Sequence, residues 1–418
     1  MIDVNLIRQE PEKVKEGIAK KKTDPKLVDK FLRLDEKWRK VSESLGGLQA
    51  EQNKISKEIA RDKSGHLLSQ AQILKKRIEE IKEEEKDLRD KREAVLNEFP
   101  NLPLEEVPVG KDESENVVLR EVGKKPEFDF KPKDHLELGE DLGIIDFETG
   151  AKVVGSGFYY LKNDGVLLEL ALVRYAFDFL AKQGFTLWLT PDMARERFYL
   201  GTGYAPRGPE AQTYVIENSD LGLIATAEVS LAGVHADETL PVEDLPRRYA
   251  GYSHCFRQES GGYGKYSKGL YRVHQFTKVE MFVFTKPDDS PKMHEELLKI
   301  EEELWQGLEI PYRVLEMCTG DLGAQAVRKF DLEAWMPGRG DWGEVTSTSN
   351  TTDYQARRLG IKFKNDLGKS EFVHTLNGTA IATSRAIVAI LENYQTKDGT
   401  VKIPKALQDY VGKKEIGK

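Results

Sequence analysis

The run Tyr252–Glu259, YSHCFRQE, leads through residues 260–269, SGGYGKYSKG, into Leu270–Phe284, LYRVHQFTKVEMFVF. This reads as a strand, a polar glycine-rich loop and a second strand. Alternate side chains of an extended strand share a face. Arg272, His274, Phe276, Lys278, Glu280 and Phe282 therefore stand on one side of the second strand, and Arg257 and Glu259 share a side of the first. Three charged groups and an aromatic are costly to bury together unless that face lines a polar site. A solvent-exposed face laced with cross-strand ion pairs would show the same pattern. The opposite face, from Tyr271 through Val273, Gln275, Thr277 and Val279 to Met281, is mixed. Periodicity leaves both readings open.

Working outward, residues 167–182 (LLELALVRYAFDFLAK) predict a helix ended by Gly184, followed by a strand over 185–190 that stops at Pro191. Further strands with period-two alternation follow, and a last long helix over 380–395. The strands are not regularly separated by helices. That predicts an α+β domain over 136–418, an antiparallel sheet with flanking helices, and not a doubly wound fold. Near the C-terminus EFVHTL runs into Asn377-Gly378-Thr379 and then AIATSRAIVAILENYQ. Read as a helix from Ala380, this puts Arg385 on a face with Ile381, Ala382, Val388 and Ala389. An arginine in that apolar surface needs a partner; an anionic ligand or a buried glutamate would serve.

Upstream, prolines at 100, 103, 108, 126 and 132 among mixed charges predict a linker over 108–135. Before it lies an N-terminal domain over 1–107, dominated by a heptad pattern over 31–98. Leu34, Trp38, Val41, Leu45, Leu48, Gln52, Ile55 and Ile59 alternate by fours and threes. After the break at Lys63-Ser64-Gly65, the pattern resumes through Leu67, Ala71, Leu74, Ile78, Ile81, Glu85, Leu88, Arg92 and Val95. This is a coiled-coil seam, and the short break folds it into an antiparallel hairpin. About 30 residues per helix give an arm roughly 45 Å long that projects into solvent. Gly46-Gly47 interrupts the first helix at a cost in propensity and reads as a flexible point. Such an arm could be a dimerisation or spacer element. Lys54, Lys57, Arg61 and Lys63 gather toward its tip and suit a phosphate backbone, although Glu51, Glu58 and Asp62 dilute them.

Composition narrows the class. Against 63 Lys and Arg stand 71 Asp and Glu, a net charge of -8, so any nucleic-acid contact must use local basic clusters. Two cysteines, Cys255 and Cys318, without a Cys-x-x-Cys pair, and seven histidines without ligand spacing argue against a disulfide framework and a structural zinc. The N-terminal MIDVNLIRQEPEKVKEG has no signal-peptide core and is too acidic for a transit peptide. No stretch has the apolar length that spans a bilayer. A cytoplasmic protein without membrane partners is expected.

Several motifs, in order, carry a specific resemblance. Phe256-Arg257-x-Glu259, a loop and Arg272-x-x-x-Phe276 resemble motif 2 of the class II aminoacyl-tRNA synthetases. Gly378-Thr379-Ala380-Ile381-Ala382-Thr383-Ser384-Arg385 resembles their motif 3. The helix, strand and Pro191 resemble motif 1, the class dimer interface. Thr226-Ala227-Glu228 resembles a serine-binding triplet, GLYRVHQFTKVEMF the second motif strand, and Glu344–Asn350 (EVTSTSN) with TTDYQARR a metal-and-nucleotide segment. Together with the hairpin, a tRNA-binding arm, these features resemble the seryl-tRNA synthetase family over nearly the whole chain.

The resemblance implies a homodimer that activates L-serine with ATP and Mg²⁺, then transfers it to tRNA(Ser), and to tRNA(Sec) where present. A carboxylate is already nucleophilic, so activation needs alignment and charge neutralisation and no general base. The implied roles follow the motifs. Arg257 bridges the serine carboxylate and the α-phosphate. Glu259 takes the adenine amino group, with Gln258 and Val273 beside the nucleotide. Phe276 and Arg385 sandwich adenine, and Arg272 holds the γ-phosphate. Glu344 and Ser347 hold Mg²⁺, with Val345 and Thr346 between them. On an ideal strand residues three apart face opposite ways, so that pair requires a bulge or strand end. Thr226, Ala227, Glu228, Arg257, Glu280 and Thr379 form the serine pocket, with Glu280 on the hydroxyl and Thr226 and Glu228 on the ammonium side. The pocket lies about 13 Å along the strand from Phe276. Rejecting alanine then follows from an unpaired buried carboxylate, while threonine is excluded by shape.

Two rivals are a paralogue loading a carrier protein, which typically lacks the arm, and a non-catalytic scaffold, which should lack Arg257, Glu280 or Arg385. The chain departs from the family pattern at Ser230, Thr346 and Thr383-Ser384. It also departs at Tyr204-Ala205-Pro206-Arg207-Gly208, which leaves the 204–212 segment without a role.

Overall fold

A computed structural model describes residues 1–61, 64–204, 213–259 and 269–417. Two compact units divide the chain, Met1–Leu102 and Pro103–Lys418.

In the first unit two short helices, α1 (Val4–Gln9) and α2 (Pro11–Lys20), precede the long α3 (Lys26–Arg61) and α4 (Gly65–Asn97). The seam predicted from the heptads is present and antiparallel. Near the turn Ile55, Leu74 and Ile78 form a small buried cluster with Leu45, Leu48 and Ile59 beside it. At the base Ile7, Val14, Ile18, Val28, Phe31, Val95, Leu96 and Phe99 form a second. Between them the polar heptad positions find partners. The indole of Trp38 donates to Glu85 at 2.7 Å, and Arg92 donates to Asp35 at 2.7 Å while lying over the Phe31 and Trp38 rings. Asp35 is 1% exposed and also accepts two bonds from Arg8. Gly46-Gly47, expected as a flexible point, lies within the continuous α3. A Cβ there would meet nothing within 4 Å, so no packing contact demands glycine.

The second unit is built on an eight-stranded sheet. Its strands are, in chain order, β1 (Val117–Val122), β2 (Thr186–Leu189), β3 (Arg247–Phe256), β4 (Gln275–Thr285), β5 (Tyr312–Glu316), β6 (Arg328–Met336), β7 (Asp341–Thr352) and β8 (His374–Ala382). Their spatial order is β1-β5-β6-β7-β8-β4-β3-β2. Every pairing is antiparallel except that of β2 with β3, which is parallel. The stretch expected to be a linker thus contributes the edge strand β1. The helices that matter for the site are α5 (Asp164–Lys182), α6 (Ala227–Gly233), α7 (Ser290–Gly307), α8 (Tyr354–Leu359) and α9 (Thr383–Asn393). Ala380-Ile381-Ala382, read as the start of the last helix, finish β8 instead, and α9 begins at Thr383.

Side-chain alternation on β4 sorts the layers. Val279, Met281 and Val283 pack with Leu172 of α5, Leu297 and Trp305 of α7 and Ile387 of α9 in the main core. The other face changes character along its length. Phe282 and Phe284 join a second core with Leu231 of α6 and Leu359 of α8. Phe276, Lys278 and Glu280 instead face a cavity.

Two β-bulges tune the cavity side. Pairing slips by one residue at Val345 in β7 and at Ala380 in β8. At each bulge two successive residues turn to the helix side. Val345 enters the main core and Thr346 donates to Glu301 of α7 at 2.8 Å; Ala380 and Ile381 both enter the core. Glu344, Ser347 and Thr379 are left facing the cavity.

Candidate active site

The cavity holds about 300 Å³ and runs across the sheet between β6, β7, β8 and β4. One end is strongly charged and half-buried. There the Arg385 guanidinium, in the first turn of α9, meets the Glu344 carboxylate at 2.9 Å and donates to the Glu344 carbonyl at 3.1 Å. Tyr271 supports the same carbonyl with its hydroxyl at 3.1 Å, and its ring lies 4.9 Å from the Arg385 guanidinium. Burial would raise the Glu344 carboxyl, but the charges of Arg385 and Lys329 outweigh it and hold it down at about 2. The glutamate partner foreseen for Arg385 is therefore real, and it is the residue expected to hold the metal. The bulge at Val345 puts Ser347 on the same side, as that pairing required. Behind them Asp331 is buried beside Lys329; burial raises its carboxyl to about 6 despite that ammonium.

In the middle lie Phe276, Arg257, Glu259, Arg272 and Val273. The Arg257 guanidinium sits 5.1 Å from the Phe276 ring centre, over its face, and Arg257 Nε donates to the Ala225 carbonyl at 3.4 Å. Glu259, at a left-handed φ of 48°, accepts from Arg272 Nε at 2.5 Å. Gln258 turns away from the cavity and donates to the Thr213 carbonyl at 3.1 Å.

The closed end contains two buried carboxylates. Glu228, 2% exposed, accepts from the Tyr204 hydroxyl at 3.1 Å, Gln355 of α8 at 2.6 Å and Asn377 of β8 at 3.0 Å. Burial, helped by the neighbouring Glu280 charge, raises its carboxyl to about 7. Glu280, also 2% exposed, pairs with the Lys278 ammonium two residues away on the same face of β4. Burial raises the Glu280 carboxyl, and the Lys278 charge opposes that rise. Thr379 stands across the sheet, 3.5 Å from both Glu280 and Lys278. Thr226 does not line the cavity: its hydroxyl caps α6 by accepting from the Glu228 amide at 3.3 Å, and Ala227 packs in the second core. Both thus hold Glu228 in place.

Sequence reasoning missed the neutral donors Tyr204, Gln355 and Asn377, which leave no charge pattern. Lys278 was visible on the charged face but was given no role. The departures noted above also have local explanations. Ser230 donates to the Pro191 carbonyl, Thr383 to the Thr277 carbonyl and Tyr204 to Glu228. Residues 205–212, which complete that segment, and Lys63 lie outside the described residues. On α3 Lys54, Lys57 and Arg61 are exposed. No helix among the described residues is long and apolar enough to cross a membrane.

Comparison with known proteins bears on the whole chain. Residues 213–394 match the family model of the tRNA synthetase class II core domain (G, H, P, S and T), and residues 1–103 that of the seryl-tRNA synthetase N-terminal domain. A serine–tRNA ligase of Rubrobacter xylanophilus is 54% identical, covering 100% of this chain and 99% of its own. One from Treponema denticola is 48% identical, covering 100% of both. The crystal structure of the Pyrococcus horikoshii seryl-tRNA synthetase complexed with ATP aligns with a TM-score of 0.91 at 47% identity, covering 100% of this chain and 99% of that one. The cytoplasmic serine–tRNA ligase of Naegleria fowleri in complex with AMP aligns with a TM-score of 0.85 at 37% identity, covering 100% and 98%.

Proposed function

This chain belongs to the seryl-tRNA synthetase family, and on that premise we propose how its cavity carries out the reaction. The activity is serine–tRNA ligation: L-serine is activated by ATP to seryl-adenylate and then passed to tRNA(Ser), and to tRNA(Sec) where that exists. One observation carries the mechanistic reading. A single cavity joins a closed end with two buried carboxylates to an open end with an arginine–glutamate pair and an aromatic ring.

Serine enters with its ammonium against Glu228 and its hydroxyl against Glu280 and Thr379. Its carboxylate faces Arg257, which also reaches the α-phosphate, so one planar fork aligns nucleophile and electrophile. The carboxylate oxygen attacks the α-phosphorus, and the bond to pyrophosphate breaks. Charge building on the α-phosphate is met by Arg257 without solvent reorganisation. Adenine lies on Phe276, with Arg385 on the other side. Arg257 must leave the Phe276 face for this, and the Glu259–Arg272 pair must open. Glu259 then accepts from the adenine amino group, Arg272 takes the γ-phosphate, and Val273 and Gln258 support the nucleotide through their backbone.

Mg²⁺ fits the open end. Glu344 is held ionised, Ser347 is turned to the same side, and both offer hard oxygen donors. These two residues would hold the ion, with Val345 and Thr346 shaping the bulge. When bound, the ion neutralises phosphate charge.

The exposed Lys54, Lys57 and Arg61, with Lys63, form the tRNA contact of the arm. A homodimer is supported by an apolar surface on α5 and the edge strand β2, where Leu170 is 57% and Leu189 77% exposed. A cytoplasmic location accords with the use of charged tRNA in translation. A carrier-loading paralogue or a scaffold is disfavoured, since the arm is present and Arg257, Glu280 and Arg385 line one cavity.

The test is ATP–pyrophosphate exchange by the purified protein. Exchange should depend on serine. Exchange with alanine or glycine in its absence would overturn the serine assignment.

A further inference from the structure

The two buried carboxylates of the closed end are not equivalent. Glu228 is held by a phenol and two amides, all neutral donors. Glu280 has an ammonium, Lys278, already in contact, and the side chain of Lys278 is itself only 7% exposed. The second contact of that ammonium, to Thr379 at 3.5 Å, fixes it against the neighbouring strand. One carboxylate therefore lacks a cation and the other possesses one.

We propose that Lys278 is a specificity-determining residue: by neutralising Glu280 it makes that carboxylate a receptor for an uncharged hydrogen-bond donor, so the pocket accepts a hydroxyl and refuses a second ammonium. The inference rests on the serine reading above and deepens it. An amino acid brings one ammonium, which compensates Glu228, and one carboxylate, which meets Arg257. A hydroxyl can then donate to Glu280 without upsetting the local charge. An additional ammonium at that position would face Lys278 in a pocket with little water, where like charges repel strongly. A bare Glu280 would have the opposite preference and attract the ammonium.

The probe is 2,3-diaminopropionate, which has an amine where serine has its hydroxyl. With its side-chain amine neutral it resembles serine; protonated, it presents the second ammonium. The readout is the ratio of kcat/KM for diaminopropionate to that for serine, in pyrophosphate exchange, across pH. Both amino acids place the same ammonium on Glu228, so titration of that group cancels in the ratio. Among the described residues, the other charged or titratable groups facing the Lys278–Glu280 pair are Arg257 and Cys255 from the β3 side, Tyr204 beyond Glu228, and Glu301 of α7 across the sheet. They too are common to both substrates.

In the unaltered protein the ratio should fall as pH is lowered, by about tenfold per pH unit once both amines of the probe are protonated. Lys278→Arg keeps the cation and should keep that fall. Lys278→Met should flatten or invert it. A wild-type ratio that does not fall overturns the proposal, as does a Lys278→Met protein that still binds ATP and shows the wild-type profile. If Lys278→Met fails to fold, Lys278→Gln, which removes the charge but keeps a polar tip, takes its place and should flatten the ratio in the same way; a Lys278→Gln protein with the wild-type fall overturns the proposal. Absence of serine exchange in the wild type would sink the serine reading itself, whereas serine exchange with an unchanged ratio sinks only the role of Lys278.

Discussion

Arg385 grips Glu344 twice, through the side-chain carboxylate at 2.9 Å and through the backbone carbonyl at 3.1 Å. These two contacts hold the open end of the cavity together: the arginine keeps the glutamate charged, and the glutamate fixes the arginine beside Tyr271.

Replacing Arg385 by alanine should lower serine-dependent exchange by roughly 10²–10³-fold, the usual scale for removing a preorganised charge partner. It should also let the Glu344 carboxyl rise from about 2, since burial would then act unopposed by its nearest cation. Carbon-detected NMR titration of Glu344 reads the second effect. Exchange within twofold of wild type would remove Arg385 from the nucleotide site.

Serine binding should weaken as pH falls through about 7. Burial raises Glu228 from its ordinary 4.5 to about 7, so between those values the folded protein holds a proton that the unfolded chain has released. That proton contributes stability to the ligand-free protein, and the contribution is lost as pH rises through 7. The ammonium of serine needs the ionised form, so KM for serine should climb by about tenfold per pH unit below 7 while KM for ATP stays flat. A KM for serine that is flat between pH 6 and 8 would show that Glu228 does not meet the ammonium.

The base of the hairpin should depend on Asp35. Its removal leaves Arg8 and Arg92 facing each other without their shared carboxylate, and should cost about 3–5 kcal/mol. Burial raises the Asp35 carboxyl, but Arg8 and Arg92 outweigh it and hold the group below its ordinary 3.8. The associated stability is therefore present above 3.8 and is lost as pH falls further. Hydrogen exchange of α3 and α4 in Asp35→Ala, and in the wild type under acid, tests both statements.

Truncating the arm by removing residues 31–98 should spare serine-dependent exchange and strongly weaken transfer to tRNA. Changing Lys54, Lys57 and Arg61 to alanine together should do the same more gently, and should reduce the slope of log affinity against log salt by roughly 0.7–0.9 per lost phosphate contact. Undiminished transfer after the truncation would make the arm a spacer.

The heptad seam was legible because its apolar positions survive two helices, and even its exceptions make sense: Glu85 and Arg92 occupy seam positions because Trp38 and Asp35 receive them. The charged face of β4 was legible as a pattern but not as a site. An exposed ion-paired face would have looked identical, and only the surrounding strands decide between them. Ala380-Ile381-Ala382 misled because small and aliphatic residues fit a helix or a buried strand equally well. Val117–Val122 was masked by the prolines on either side of it. The cradle of Glu228 was invisible because Tyr204, Gln355 and Asn377 come from three distant segments and carry no charge.

The bulges at Val345 and Ala380 act as a change of phase in the alternation of two adjacent strands. Before and after each one, the same parity of residue number points in opposite directions. Deleting a single residue at either place would restore regular pairing with every remaining side chain still on its own face, whereas straightening the strand at its full residue count would exchange the front and back of everything on one side. In a strand straightened that way Glu344 and Ser347, three residues apart, could no longer share a surface. The site is thus written in the strands' counting as much as in their chemistry, and an alignment that slides one residue there would transfer each role to the wrong side chain.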